Sequence, residues 1–157
     1  MRVGITGHRG LSTDVEQQVR AMLDEAVHGF NIADLTGVSC IADGPDSWFA
    51  QAVLRHGGRL EVVIPATEYR ASLPEWHHPV YDQLYGSAVD IHETGMTEST
   101  SEAHQAGSEI LVGLVDELIA VWDGKPARGY GGTADVVEYA ERTGVSVRIL
   151  WPEGASR

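Results

Sequence analysis

The chain has 157 residues, of which 43% are hydrophobic and 22% charged, a composition typical of one globular domain that needs no disulfides. It contains no apolar run near the roughly 18 residues that suggest a membrane span. The net charge of −12 argues against non-specific binding to DNA or to anionic lipid, because both depend on basic surface. Since Met1 directly precedes the first predicted strand and leaves no room for a signal peptide, we expect a soluble, cytoplasmic protein.

The first half of the chain alternates apolar strands with amphipathic helices. In chain order, the pattern predicts a strand over residues 2–6, a helix over 13–28 that Thr13 and Glu16 open as a capping box, a strand over 38–42, a helix over 47–56 and a strand over 60–64. Continuous apolar strands separated by helices are typical of a parallel sheet covered on both faces. The lone Cys40 lies in one of these strands, which favours a buried, inert thiol.

Residues 65–97 form a weaker, aromatic-rich region with one helix near residues 79–85 and a small strand over 88–92. Its aromatic side chains could stack on a base, pack against each other or meet another subunit. Helices over 98–115 and 133–143 and strands over 117–122 and 145–151 follow. A long glycine-rich loop over residues 123–132 separates the first of these strands from the second helix, and long ordered loops are often binding loops.

These elements predict an α/β fold: a single doubly wound Rossmann-like domain over residues 1–152, followed by a frayed tail over 153–157. The sheet is expected to be mostly parallel, with five to six strands and helices on both faces. Right-handed crossovers give a strand order such as 3-2-1-5-6, which reverses between the first strand and the strand at 117–122. Ligands of doubly wound sheets bind at such a reversal.

Two glycine-rich loops, residues 6–10 and 124–133, are predicted to emerge beside this reversal, each just before a helix N-terminus. Free backbone donors and the helix dipole favour an anion there. Arg9, Lys125 and Arg128 place basic charge in these loops of an acidic chain. The alternative is two surface turns with solvated charges. A P-loop is excluded because Pro126 follows Lys125 where Ser or Thr is required, and the first loop lacks the dinucleotide glycine spacing.

The motif Thr6-Gly-His-Arg9, the turn Gly44-Pro-Asp46 and the segments 118–124 and 129–133 resemble the SLOG superfamily of Rossmann-like nucleotide binders. This group includes DprA-type DNA-processing proteins and LOG-type phosphoribohydrolases. The resemblance implies a nucleotide or nucleotide derivative held between the two loops, and a homodimer or higher homo-oligomer. The expected ligand contacts are Gly7, His8, Arg9, Gly10, Gly44, Asp46, Asp123, Gly124, Lys125, Arg128, Gly129, Gly131, Gly132 and Thr133.

The sequence departs from the enzymes of this group at one position. LOG-type enzymes carry Pro-Gly-Gly-x-Gly-Thr-x-x-Glu, whose glutamate serves cleavage of an N-glycosidic bond, whereas Val136 stands at that place here. The nearest carboxylates, Asp135 and Glu138, are the candidate catalytic residues, although Asp135 could simply complement the helix dipole. Binding of a nucleotide-derived molecule is therefore the leading function. A nucleoside 5′-monophosphate phosphoribohydrolase and a carrier of molybdenum cofactor, a phosphorylated pterin, are the alternatives.

Further polar residues are candidates for the same site. Asp46 could be a helix N-cap or a ligand contact, and Asp123 ends a strand that faces the predicted crevice. His8 could donate a hydrogen bond to phosphate. The histidines His77, His78, His92 and His104 lack zinc-site spacing, so no metal is expected. The expected partner is a small-molecule nucleotide rather than nucleic acid or a membrane, and no cofactor beyond that ligand is implied.

Overall fold

The computed structural model describes residues 1–126 and 132–157. Within them, six strands form one sheet in which all neighbouring strands are parallel: β1 (Arg2–Gly7), β2 (Thr36–Ser39), β3 (Arg59–Ile64), β4 (Asp90–Glu93), β5 (Glu117–Val121) and β6 (Ser146–Leu150). Their order is β4-β3-β2-β1-β5-β6. The predicted order is confirmed, and the small extra strand β4 lies at the edge beside β3.

The described residues also form six α-helices between the strands, α1 (Thr13–His28), α2 (Pro45–Arg55), α3 (Tyr69–Ser72), α4 (His78–Ser87), α5 (Ser101–Leu114) and α6 (Thr133–Arg142), and two short 3₁₀ helices over Ile32–Asp34 and Glu75–His77. In the part of the chain that the structure covers, no helix is long and apolar enough to cross a membrane. The predicted α/β, Rossmann-like architecture is thus confirmed.

Burial follows the position of each strand in the sheet. β2 and β3 are buried along nearly their whole length, whereas the edge strands β4 and β6 are only partly covered. Apolar residues of α1 and α2 pack with β1 and β5 in one core cluster, and apolar residues of α5 and α6 belong to the other. Strands buried on both faces read as continuous apolar runs, which is why the sequence pattern located them.

The start of α1 differs from the prediction. Ser12 is the N-cap, and its Oγ accepts a hydrogen bond from the backbone N–H of Val15 at 3.4 Å. Glu16 instead accepts from Arg20 Nε at 2.8 Å, one turn along the helix. The predicted capping box of Thr13 and Glu16 is therefore wrong by one residue, because the serine just before it supplies the capping oxygen.

The segment after β2 also departs from the prediction, since the strand ends at Ser39 and α2 begins at Pro45. Ile41 has a positive φ of 49°, and Ser39 Oγ both accepts from the Ile41 N–H and donates to the Asp46 carbonyl, each at 2.9 Å. Gly44 is the N-cap of α2, which makes Asp46 the second residue of the helix. The expectation that Asp46 caps the helix is therefore wrong.

The segment 153–157, expected to be frayed, folds back against the end of the sheet. Trp151 Nε1 donates to the Ala155 carbonyl at 3.1 Å, and Gly154 adopts a φ of 77° in the turn between them. Ala155 packs against the core cluster of α1. These contacts bring Arg157 to the edge of the sheet where the strands end.

A charged network crosses three strands in the first half of the sheet. Glu61, only 4% exposed, accepts from Arg2 Nε at 2.7 Å and contacts His92 Nε2 at 2.8 Å. Burial alone would raise the pKa of Glu61, but Arg2 and His92 together lower it below its usual value. Among the described residues, Glu61, Asp90 and His92 lie close enough together to hold a metal ion, yet Arg2 already neutralises Glu61.

We expect Gly7→Ala to lower the free energy of unfolding by about 1–3 kcal/mol, because overpacking a filled site has that cost. A Cβ at Gly7 would lie 2.8 Å from Pro45 Cβ and 2.9 Å from Val121 Cβ. Urea unfolding measures the effect. Gly113→Ala is the matched control, since nothing lies within 4 Å of its Cβ position and alanine favours a helix by about 0.5–1 kcal/mol. Equal stability of wild type and Gly7→Ala would contradict the packing argument.

We also expect Glu61→Gln to flatten the dependence of stability on pH at the acid side. A carboxyl whose pKa is lower in the folded state stabilises the fold above its unfolded pKa, and this contribution is lost as pH falls. Urea unfolding between about pH 3 and pH 7 measures it. Glu138→Gln is the control because Glu138 is exposed. If Glu61→Gln lost stability at acid pH to the same extent as the wild type, the contacts of Glu61 with Arg2 and His92 would not be the source of this pH dependence.

Candidate functional site

A crevice of about 350 Å³ lies at the edge of the sheet where the strands end. The end of β1, the segments that follow β2 and β3, helix α5 and the first turn of α6 form its walls. The residues that line it are Ile5, Thr6, Gly7, His8, Arg9, Cys40, Ala42, Asp46, Pro65, Tyr69, His104, Ser108, Leu111, Gly132, Thr133, Val136 and Arg157. β1 is the strand from which the order proceeds in both directions, so the crevice lies at the predicted reversal.

The first wall is the loop that follows β1. Arg9 donates from Nε to Asp43 Oδ1 at 2.9 Å, and its Nη2 lies 2.7 Å from the same oxygen. The Arg9 side chain stays 46% exposed while Asp43 is buried. Gly44 adopts a φ of 96°, which favours glycine, and passes close to the Arg9 backbone. Asp43 therefore orients Arg9 and leaves part of its guanidinium accessible from the crevice.

Asp46 projects from the first turn of α2 and lines the same crevice. Burial raises the pKa of its carboxyl to about 7, and the charge of Asp43 adds to the rise, although the Ala42 N–H and Arg9 oppose it. The two protonation states of Asp46 are thus similarly populated near neutral pH. No other lining residue of the described chain carries a carboxyl group.

On the opposite side, His8, Asp123 and Arg157 form a connected array. Arg157 Nε lies 3.0 Å from Asp123 Oδ2, and its Nη1 lies 3.2 Å from His8 Nδ1. Arginine can only donate, so His8 Nδ1 accepts, while His8 Nε2 lies 3.2 Å from Asp123 Oδ1 and 3.3 Å from the Asp123 backbone nitrogen. Arg157 Nη2 also donates to the Pro126 carbonyl at 2.8 Å. The array joins the loops after β1 and β5 to the C-terminal segment.

The long loop begins with a defined turn. The Lys125 N–H donates to Asp123 Oδ1 at 3.0 Å, Trp122 Nε1 donates to the Lys125 carbonyl at 2.8 Å, and Gly124 has a φ of 82°. Burial would raise the pKa of Asp123, but the Lys125 N–H, His8 and Arg157 outweigh it and lower the pKa below its usual value. Asp123 is therefore ionised, and its hydrogen bonds hold the start of the loop in place. Lys125 is exposed and does not line the crevice.

The first turn of α6 supplies Gly132, Thr133 and Val136 to the crevice, and Thr133 is buried. Neither candidate catalytic residue, Asp135 or Glu138, is among the lining residues. The Glu138 side chain is 73% exposed and lies 3.9 Å from Arg142, one turn along the helix. Val136 therefore gives this wall an apolar surface. The predicted contacts Arg128, Gly129 and Gly131 lie outside the described residues, and Gly10 and Gly44 stand beside the crevice without lining it.

Helices α3 and α5 supply a wall that the sequence did not assign to the ligand site. His104 Nε2 lies 2.8 Å from Ser99 Oγ, and burial, with Arg9, lowers the pKa of His104. Its ring stands edge-on to Tyr69, with 5.6 Å between the ring centroids. Cys40 is buried behind them, and burial raises the pKa of its thiol. Neutral His104 and Tyr69 make this wall a place for an uncharged part of a ligand.

Arg157 is the residue that sequence reasoning missed most clearly, because it stands in a short polar segment with no periodic pattern. The one local signal is Trp151, whose edge packs on the His8 ring at a centroid distance of 5.7 Å. An aromatic side chain directly after an edge strand indicates that another segment of the chain packs over that side chain. Tyr69 and His104 lie far from Arg9 in the sequence, so no local pattern predicts that they line the same crevice.

No protein-family model and no curated protein sequence matches the chain. Among solved structures, it is similar to DNA processing protein A from Streptococcus pneumoniae, with a TM-score of 0.70 and 20% identity over 99% of this chain and 52% of that protein. The chain thus spans about half the length of that protein.

Two further structures share the fold. DNA processing protein A from Helicobacter pylori, described for its single-stranded DNA binding mode, gives a TM-score of 0.70 and 16% identity over 99% of this chain and 68% of that protein. The molybdenum cofactor binding protein from the phototrophic bacterium Rippkaea orientalis gives a TM-score of 0.60 and 15% identity over 94% of this chain and 74% of that protein. At these identities the likeness concerns the fold alone, and it confirms the Rossmann-like fold that the sequence predicted.

Proposed function

We propose that the crevice binds a nucleotide or a nucleotide-derived small molecule. The observation that carries this proposal is the convergence of Arg9 and the first turn of α6 on one crevice at the ends of the strands. A partly exposed guanidinium and a helix N-terminus are both sites that favour phosphate. A cavity of about 350 Å³ lies within the range of small-molecule sites.

The walls of the crevice differ in chemistry and suit two different parts of a ligand. The phosphate lies between Arg9 and the backbone at Gly132 and Thr133, because these residues supply donors and positive potential. The apolar side chains of Leu111 and Val136 and the neutral ring of His104 suit the base or another planar group. Thr133 is buried at the same wall, and its hydroxyl is the side-chain group of this wall that can bond a phosphate or a ribose.

Binding is better supported than hydrolysis. The apolar Val136 lines the crevice, while Asp135 and Glu138 do not, so the carboxylate that the phosphoribohydrolase alternative requires does not come from α6. The expectation that excludes nucleic acid is not supported by the comparisons, since a neighbour of the same fold binds single-stranded DNA. A nucleotide unit within such a strand presents the same phosphate and base as a free nucleotide. A homo-oligomer stays a prediction, to be measured by light scattering.

The test is a thermal-shift and calorimetric screen of the purified protein with nucleoside mono- and diphosphates, cyclic nucleotides, nucleotide sugars and a short single-stranded DNA. We expect one class to stabilise the fold, by about 2.7 kcal/mol when the ligand is present at about 100 times its Kd. A fluorescent pterin released from the purified protein by oxidation would instead indicate a molybdenum cofactor carrier. Absence of stabilisation by every ligand, with no pterin, would refute the proposal.

We expect Arg9→Ala to weaken the ligand found in this screen about 10- to 100-fold, since a hydrogen bond to a charged group contributes about 1.5–3 kcal/mol. Calorimetric titration measures the Kd. Arg70→Ala is the matched control, because Arg70 forms a similar arginine–aspartate pair with Asp82 at 2.7 Å but lies away from the crevice. If both variants bind as wild type does, the phosphate does not lie at Arg9.

We expect Arg157→Ala to lower the free energy of unfolding by roughly 1–3 kcal/mol, the cost of leaving buried polar groups without their partner. Asp123, which is 5% exposed, and His8 both lose a donor in this variant. Urea unfolding measures the change. Arg148→Ala is the control, since Arg148 pairs with Glu117 at 3.2 Å on a strand edge and is 46% exposed. An equal or larger effect of Arg148→Ala would contradict the role given to Arg157.

A further inference from the structure

Arg9 and the carboxyl group of Asp46 line the same crevice, and a second carboxyl group, that of Asp43, is paired with Arg9. Asp43 holds Arg9 through contacts of 2.7 and 2.9 Å. Asp46 projects into the crevice that Arg9 lines, and the charges of Arg9 and Asp43 both act on its carboxyl group. With both carboxyls ionised, the three groups carry one net negative charge, which would repel a phosphate from the guanidinium proposed to bind it.

The other groups around Asp46 do not remove this charge. Cys40, after β2, and Tyr69, on α3, are both influenced by Asp46, and burial raises the pKa of each so that they stay neutral. His104, on α5, has a lowered pKa and is also neutral near pH 7. From α6, the lining residues Gly132, Thr133 and Val136 have no titratable group. From the far wall, the crevice's second guanidinium, Arg157, is paired with Asp123 and contacts His8, the remaining titratable residue of the lining.

We infer that an anionic ligand binds this crevice together with one proton, which Asp46 takes up from solvent. As a carboxylic acid, Asp46 removes the excess negative charge beside Arg9 and can donate its O–H to a phosphate oxygen. As a carboxylate, it repels the phosphate and can only accept. This inference rests on the proposed function and adds the rule by which the site distinguishes charged from uncharged ligands.

The cost of this proton is small near neutral pH. The pKa of Asp46 in the free protein is already raised to about 7, chiefly by burial, and a bound phosphate raises it further by adding negative charge. The bound form therefore stays protonated while the free form loses its proton as pH rises. Affinity for an anion should be constant well below pH 7 and decline above it.

The probe is the methyl ester of the nucleoside 5′-monophosphate that binds most tightly, because its single negative charge does not change over this range. We expect its Kd to rise about tenfold between about pH 6 and pH 8. Calorimetry at about pH 8 in buffers of different ionisation enthalpy should report an uptake that approaches one proton per ligand bound. The parent nucleoside, which lacks the phosphate, should bind without this dependence.

Asp46→Asn separates Asp46 from the other titrating groups, since asparagine keeps the shape and a donor but cannot ionise. We expect this variant to bind the ester with a Kd that varies less than about twofold over the same range and without proton uptake at about pH 8. Asp82→Asn is the control, because Asp82 is exposed and pairs with Arg70 away from the crevice; it should behave as wild type. Uptake confined to about pH 6 and below, and retained in Asp46→Asn, would assign the proton to a histidine of the crevice, His8 or His104, and overturn the inference.

The outcomes are distinguishable from failure of the proposed function. If no nucleotide or ester binds at any pH, the proposed function is wrong. If the wild-type protein binds the ester with a pH-independent Kd and no proton uptake, the proposed function stands and this inference is overturned. The wild-type measurement needs no variant, so the inference stays testable even if Asp46→Asn does not fold.

Discussion

The close approach of α2 to the end of β1 at Gly7 determines the geometry of the whole ligand edge. A single added Cβ there would meet the ring of Pro45 and the side chain of Val121 at once, each within 2.9 Å. Because glycine has only a hydrogen atom in place of a side chain, β1, β5 and α2 can approach one another closely at this position. The loops that begin at His8 and Trp122 and the loop that ends at Gly44 therefore lie close together, and the crevice opens beside them.

Charge in this crevice is organised in pairs rather than as a basic patch. Arg9 is held by Asp43, and Arg157 is held by Asp123. Each aspartate fixes its arginine in one orientation and cancels most of its long-range field, so the site can recognise an anion at short range within a chain of net charge −12. The net charge of the crevice around Arg9 then depends on the protonation state of Asp46. Among the lining residues of the described chain, Asp46 carries the one carboxyl group, and its pKa is about 7.

The two ends of the sheet use buried charge differently. Glu61 is surrounded by Arg2 and His92, and their contacts keep it ionised. Asp46 has weaker compensation, so burial dominates and the proton is held more tightly. A buried carboxyl group whose charged partners are in place stabilises the fold. A carboxyl group with weaker partners can change its protonation state when a ligand binds. The difference in partners, rather than in residue type, separates a structural group from a functional one.

The sequence by itself determined the strands, their order and the two loops, because strands buried on both faces leave continuous apolar runs and right-handed crossovers leave few orders. It also singled out Gly7, His8, Arg9 and Thr133, which line the crevice, from local motifs. Only the tertiary structure decided that Asp135 and Glu138 lie off the crevice, that Asp46 is a helix residue rather than its cap, and that Tyr69, His104 and Arg157 join the site. The contact between Arg157 and His8 spans 149 residues of chain, and no local pattern encodes which distant side chains a fold brings together.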